Sequence, residues 1–140
     1  MTDSEAMIVL VGADAALLEG LSQSLGARGY RARVTADLRE ARELAAERAP
    51  LIALVDRELA ARSPSSALAM PLAPGGAIVL YHHSGVDSTT LVPAMQRTVM
   101  ADLALPLERH RLVALVQHVE ERARAAGRRL PDNTTERVVS

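Results

Sequence analysis

The chain contains no cysteine, no lysine, no phenylalanine and no tryptophan, and Tyr30 and Tyr81 are its only aromatic residues. Each absence excludes something. Without cysteine there is no disulfide framework, no thiolate chemistry and no Cys-type zinc site. All sixteen basic residues are arginine, so chemistry that needs a lysine ammonium as a point charge has nothing to supply it. With so few aromatics the core must be aliphatic. No apolar run approaches the roughly 20 residues that span a bilayer. A formal net charge of −1 leaves no nucleic-acid footprint and no polybasic membrane anchor. The first residues are polar and carry Asp3 and Glu5, unlike a signal peptide. The expectation is a soluble cytoplasmic domain with no nucleic-acid or membrane partner.

What is present points to one packed domain. The 140 residues are 49% apolar, enough chain and enough apolar surface for a sizeable core. The apolar pattern switches repeatedly between two kinds. Met7 to Val11, Leu51 to Val55 and Ala77 to Tyr81 are short continuous apolar runs, which read as strands buried on both faces. Tyr30 to Val34 alternates weakly as a second strand, and Asp102 to Leu105 reads as a short fifth. Between them, Leu17, Leu18, Leu21 and Leu25 follow helical spacing after a candidate N-cap at Asp14, with Gly26 and Gly29 at the exit. Asp37 caps a second helix through Arg48. Asp87 or Ser88 opens a helix to about Thr98, with Pro93 tolerated only in its first turn. Glu108 to Ala126 forms a long helix that ends at Gly127.

Strand and helix alternate about five times. That pattern predicts an α/β fold, a five-stranded doubly wound parallel sheet, because crossovers between parallel strands are helical and right-handed. In such sheets the site lies at the carboxyl ends of the strands. Asp56 stands there, at the end of the third strand. Two stretches deviate. Residues 60–76 are rich in Ala, Pro and Ser, and Ser63-Pro64 predicts one short helix before a loop, so the third helix is eroded. Residues 127–140 lack periodicity and are expected to be a mobile tail or linker after a folded unit of residues 1–126.

The segments IVLVGADAALLEGLSQSLGARGY, APLIALVD, AIVLYHH and ADLALPLERHRLVALV, in that order and spacing, resemble the receiver domain of two-component response regulators. The resemblance covers roughly residues 6–124, including Gly29-Tyr30 before the second strand and Pro106 after the fifth. It implies a flavodoxin-like receiver fold and a phosphoacceptor aspartate at Asp56. It also implies an acid pair after the first strand that holds Mg²⁺, a Ser or Thr after the fourth strand, and a Lys before the proline. Positioning and charge neutralisation are what phosphoryl transfer requires.

Residue by residue, the chain departs from that set. The acid pair falls on Gly12 and Ala13, with Asp14 acidic one place later. The hydroxyl position falls on Tyr81, or on His82 if the register slips by one. The Lys position falls on Leu105, and the aromatic switch position of the fifth strand on Asp102. Gly12, Ala13, Asp14, Tyr81, His82 and Leu105 thus outline a vestigial pocket around Asp56. The simplest structural readings are a solvated strand-end carboxylate for Asp56, a helix N-cap for Asp14 and a packed lid for Tyr81. Asp56 needs a partner there, and Tyr81 or His82 is expected over it, with the Tyr81 hydroxyl, then Arg57, as donor. At most one of His82 and His83 can face the site, because neighbours on a strand point to opposite faces.

The expectation is therefore a non-enzymatic pseudo-receiver, a protein-interaction module of bacterial signalling that needs no cofactor or metal. Its partner would be a histidine kinase, an output domain or a second copy of the chain. The resemblance places that contact on the fourth helix, fifth strand and fifth helix, with Arg97, Asp102, Arg109, Arg111, His118 and Arg122 as candidates. Two alternatives stand beside it. In one, Asp56 is a working phosphoacceptor of a phosphorelay and Mg²⁺ is its cofactor. In the other, a small α/β enzyme has its site around Asp14, Asp56 and His82. A Walker loop, a dinucleotide fingerprint and a Gly-x-Ser-x-Gly elbow are all absent from the sequence.

Overall fold

The five strand candidates become five parallel strands. The computed structural model describes residues 6–83 and 92–139, with side chains through residue 125. The strands are β1 (Met7–Val11), β2 (Arg31–Thr35), β3 (Ile52–Asp56), β4 (Ala77–His83) and β5 (Ala101–Leu105). They lie in the order β2-β1-β3-β4-β5, every pair parallel. The helices are α1 (Ala15–Gly26), α2 (Leu38–Glu47), α3 (Arg57–Arg62), α4 (Pro64–Leu68), α5 (Pro93–Thr98) and α6 (Arg109–Val139). Among the described residues no helix is long and apolar enough to cross a membrane.

Local chemistry explains the starts and stops. Asp14 caps α1 by accepting from the Leu17 N–H at 3.1 Å. Asp37 caps α2 through the Arg39 N–H at 3.0 Å. The chain leaves α1 through Gly29, whose φ of 92° lies in the left-handed region that a side chain disfavours. β1 and β3 are buried almost throughout because helices cover both faces of the sheet. β2 sits at the edge and exposes Arg31 and Arg33, charges that discourage pairing with another strand.

The sheet divides the core in two. On one face Ile8, Leu10, Leu54, Val79 and Leu103 pack against Leu18, Leu21 and Leu25 of α1 and Leu112, Val116 and Val119 of α6. On the other, Val9, Ala53, Val55 and Leu80 meet Ala41 and Ala45 of α2, Ala60 of α3, Ala67 of α4 and Met95 of α5. Alanine dominates the helical side of this second layer, so its short helices lie close to the strands. Gly75, with φ 82°, brings the chain before β4 against α6, where an added Cβ would stand 2.9 Å from Ala123 Cα.

Three element boundaries differ from the sequence expectation. The third crossover contains two short helices, not one, because Asp56 starts α3 directly after β3 while Pro64 takes the first turn of α4. Ser63 gives α4 no side-chain cap bond. The fourth crossover helix is described from Pro93, and the expected starts at Asp87 and Ser88 lie outside the described residues. α6 continues past Gly127 and Pro131 to Val139; helix propensity, which penalises both residues in a helix interior, does not explain that continuation.

The Leu-rich layer carries much of the stability. Leu10 is wholly buried in the centre of the sheet. Leu10→Ala should cost about 2–5 kcal/mol, read as a lower urea midpoint at unchanged slope.

Candidate functional site

Side chains alternate across a strand, so parity decides what meets at the carboxyl end of this sheet. Ile8 and Leu10 belong to the α1/α6 face, which puts Gly12, just beyond β1, on that face too. Leu54 leads likewise to Asp56, Val79 to Tyr81, and Leu103 to Leu105. Asp56 and Tyr81 are direct partners in the β3–β4 register. Four neighbouring strands therefore bring Gly12, Asp56, Tyr81 and Leu105 to one place.

Tyr81 fills that place. It is fully buried. A Cβ added to Gly12 would overlap the Tyr81 hydroxyl oxygen outright and would lie 3.4 Å from Asp56 Cβ. The phenol therefore occupies the space that a side chain at position 12 would need. Its hydroxyl has no hydrogen-bond partner among the described residues. Burial first, then the negative charges of Asp56 and Asp14, push its pKa far above the ordinary phenol value. Leu105, on the other side, is fully buried in the same apolar layer.

Asp56 has a different partner from those expected. Its Oδ1 accepts from the Glu58 N–H at 2.9 Å, so the carboxylate is the N-cap of α3. The Tyr81 hydroxyl does not donate to it. A short cap bond to its own helix satisfies Asp56 with no reach across the sheet. Arg57 turns to the other face, where its Nη1 pairs with Asp102 Oδ2. His82 joins it there, with Nδ1 3.1 Å from Asp102 Oδ1. The expectation of His82 over Asp56 fails for the reason of parity: Tyr81 faces the site, so its neighbour cannot.

His83 shares the Tyr81 face: of the two histidines that the sequence offered beside Asp56, it is His83 and not His82 that lies on the site side. Its Nε2 lies 2.8 Å from Asp14 Oδ2, and its ring meets that of Tyr81 edge-on, with centroids 6.2 Å apart. The His83 bond, followed by the Leu17 N–H, holds the Asp14 carboxyl below the usual carboxylate range. Once Tyr81 is placed on the site face, the two-residue repeat points to His83, and that signal was present in the sequence. Ala13, the other expected pocket position after β1, is exposed and has no polar side chain.

The candidate surface residues do not form one patch. At 100° per residue, Arg111, His118 and Arg122 fall on one stripe of α6, and all three are exposed. Arg111 pairs with Glu108 at 2.8 Å, and Arg122 Nη2 donates to Gly75 O at 3.0 Å. Arg109 is on the opposite side, where with Arg28 and His110 it lines a cavity of about 370 Å³ against α1. Arg97 is exposed in the last turn of α5. Asp102 is half-buried and committed to Arg57 and His82.

The fit of Tyr81 over Gly12 yields a paired expectation. Tyr81→Phe removes a buried hydroxyl with no partner among the described residues and should raise stability by about 1 kcal/mol. Gly12→Ala should lower it by about 1–3 kcal/mol through overpacking, and by less in the Tyr81→Phe background. Chemical denaturation of the two single variants and the double variant measures the coupling.

No family model matches the chain, and no curated protein matches it. Solved structures do. The chain is similar to the signal receiver domain of a putative LuxO repressor protein from Vibrio parahaemolyticus, at 18% identity and TM-score 0.66, over 88% of this chain and 95% of that one. It is similar to a CheY-like response regulator receiver domain from Methylobacillus flagellatus, at 15% identity and TM-score 0.63, over 82% and 98%. It is also similar to NtrX from Brucella abortus in complex with ADP, at 18% identity and TM-score 0.65. The match covers 97% of this chain but only 30% of NtrX. At these identities the likeness establishes the fold: the chain has the flavodoxin-like receiver fold.

Proposed function

We propose that this domain is a pseudo-receiver, a non-enzymatic interaction module of a bacterial two-component pathway, acting in the cytoplasm without a phosphorylation switch. The observation that carries this reading is Tyr81 seated over Gly12 beside Asp56. Phosphoryl transfer to a carboxylate needs cations around the reacting oxygens. Gly12 and Ala13 offer no ligand to Mg²⁺, which demands near-octahedral oxygen coordination. Leu105 offers no cation. The residues around Asp56 do not fit the metal.

The switch half of the machinery is altered as well. Where the receiver pattern has an aromatic residue free to change rotamer, Asp102 is tied to Arg57 and His82. Signalling by this domain then rests on a fixed surface that a protein partner, such as a kinase, an output domain or a second copy, recognises. The Arg111, His118 and Arg122 stripe of α6 is the set we assign to that surface.

One observation favours the phosphorelay alternative: Asp56 is half-buried at the carboxyl end of β3 and within reach of water. The enzyme alternative would have to use His83 with Asp14 and Asp56, since His82 is on the other face.

Incubation with an acyl phosphate and millimolar Mg²⁺, followed by intact mass measurement, separates the readings. The expected outcome is no phosphoryl adduct. An adduct that disappears in Asp56→Asn would establish the phosphoacceptor instead. In a pull-down or sedimentation assay with the cognate partner, Asp56→Asn should shift affinity by less than tenfold, about 1.4 kcal/mol.

A further inference from the structure

We propose that the cavity between α1 and the start of α6 is a binding site for a small phosphorylated molecule, held by Arg28 and Arg109. The cavity has a volume of about 370 Å³, within the size range of small-molecule sites. Ser24 of α1 and Arg28 just beyond its end form one wall. Arg109, His110 and Val113 of α6 form the other. Pro106 and Leu107, between β5 and α6, complete the rim.

The charge on these walls is of one sign. Two permanently charged guanidiniums line the cavity together with an imidazole, and no carboxylate lines it. Neither Arg28 nor Arg109 has a salt bridge or a side-chain hydrogen bond among the described residues. The acids nearest to them along α6 are already engaged. Glu108 accepts from the Ala104 N–H at 2.7 Å and pairs with Arg111 at 2.8 Å. Glu120 accepts from the Tyr30 hydroxyl at 2.9 Å and pairs with Arg124 at 3.1 Å. A second cavity, of about 390 Å³ beside α2, shows the contrast. It too is lined by two arginines, but Arg39 pairs with Glu43 on the same wall and Arg42 donates to Ser66.

Like charges lining one cavity repel, and an anion between them turns that repulsion into attraction. Phosphate suits this arrangement because each guanidinium presents paired N–H donors that match its oxygens. The Ser24 hydroxyl and the His110 ring can add further donors, and the positive end of the α6 dipole adds to the field. The rim is apolar. Leu107 is 73% exposed, and among the described residues only Val92 is another exposed large hydrophobic. With Pro106 and Val113 it forms a ledge for an organic body, which favours a phosphate ester over the free ion. The cavity is on the opposite side of α6 from the Arg111, His118 and Arg122 stripe. The inference holds whether or not Asp56 accepts phosphate.

The test is an NMR titration of the isotope-labelled full chain at constant ionic strength with three probes: adenosine monophosphate, inorganic phosphate and adenosine. At millimolar concentration the nucleotide should give saturable shifts at the Ser24, Arg28, Arg109 and His110 amides. Inorganic phosphate should move the same amides with weaker affinity, and adenosine should leave them in place. Arg28→Gln and Arg109→Gln should each weaken nucleotide binding about tenfold or more, the loss expected for a charge-assisted hydrogen bond. Both arginines are exposed, so an unchanged amide spectrum away from the cavity should show that the variants fold. Arg42→Gln, at the second cavity, should leave affinity unchanged. The proposal is overturned if neither phosphate compound saturates, if both glutamine variants bind as before, or if the Arg39 and Arg42 amides shift equally. Inorganic phosphate binding as tightly as the nucleotide would overturn the assignment to an ester. A polyglutamate peptide that moves the same amides at lower concentration would replace the small molecule with an acidic protein segment.

Discussion

The carboxyl end of this sheet is organised around one packing constraint: a tyrosine ring stands where a neighbouring strand has no side chain. Tyr81 is fully buried because Gly12 leaves the volume open. Neither residue is interpretable alone. A glycine in place of an acid reads as a loss, and a tyrosine in place of a small hydroxyl reads as an intrusion. Together they are a fit. The fit has a cost, since the phenol oxygen has no hydrogen-bond partner among the described residues, and buried polar groups are seldom left that way. The ring's apolar contact with the α1/α6 layer offsets it.

From that constraint the rest of the site follows by alternation. Because Tyr81 faces α1 and α6, His83 must do so as well, and it finds Asp14. Because His82 lies between them, it faces the other layer and finds Asp102. The two histidines, adjacent in the chain, enter two different electrostatic environments on opposite sides of one sheet. One carboxylate is already neutralised by an arginine. The other is not. Adjacent residues of the same type thus acquire different chemistry from the pleat of the strand alone.

The two layers also differ in build. Leucines dominate the helical cover of one face, and alanines from α2, α3 and α4 with Met95 of α5 cover the other. The eroded third crossover belongs to the second layer, where Asp56 is spent on starting α3. A carboxylate at a strand end can cap the helix that follows it, and Asp56 does so by accepting from the Glu58 N–H.

Much of the fold was legible because it is written in local period. The apolar runs at Met7, Leu51 and Ala77, and the caps at Asp14 and Asp37, depend on neighbours within a few residues, and all of them appear as read. The start of α3 was missed because residues 57–62 carry too little apolar period to mark a six-residue helix. The sequence by itself determined a parallel α/β sheet with Asp56, Tyr81 and two histidines at its carboxyl end, and it determined the lack of lysine and of the acid pair. Only the tertiary structure decided the partners: Arg57 to Asp102 and not to Asp56, His83 to Asp14, and Tyr81 to the space over Gly12. Period along a strand says which residues share a face, but pairing across strands joins residues tens of positions apart, and that choice belongs to the register of the folded sheet.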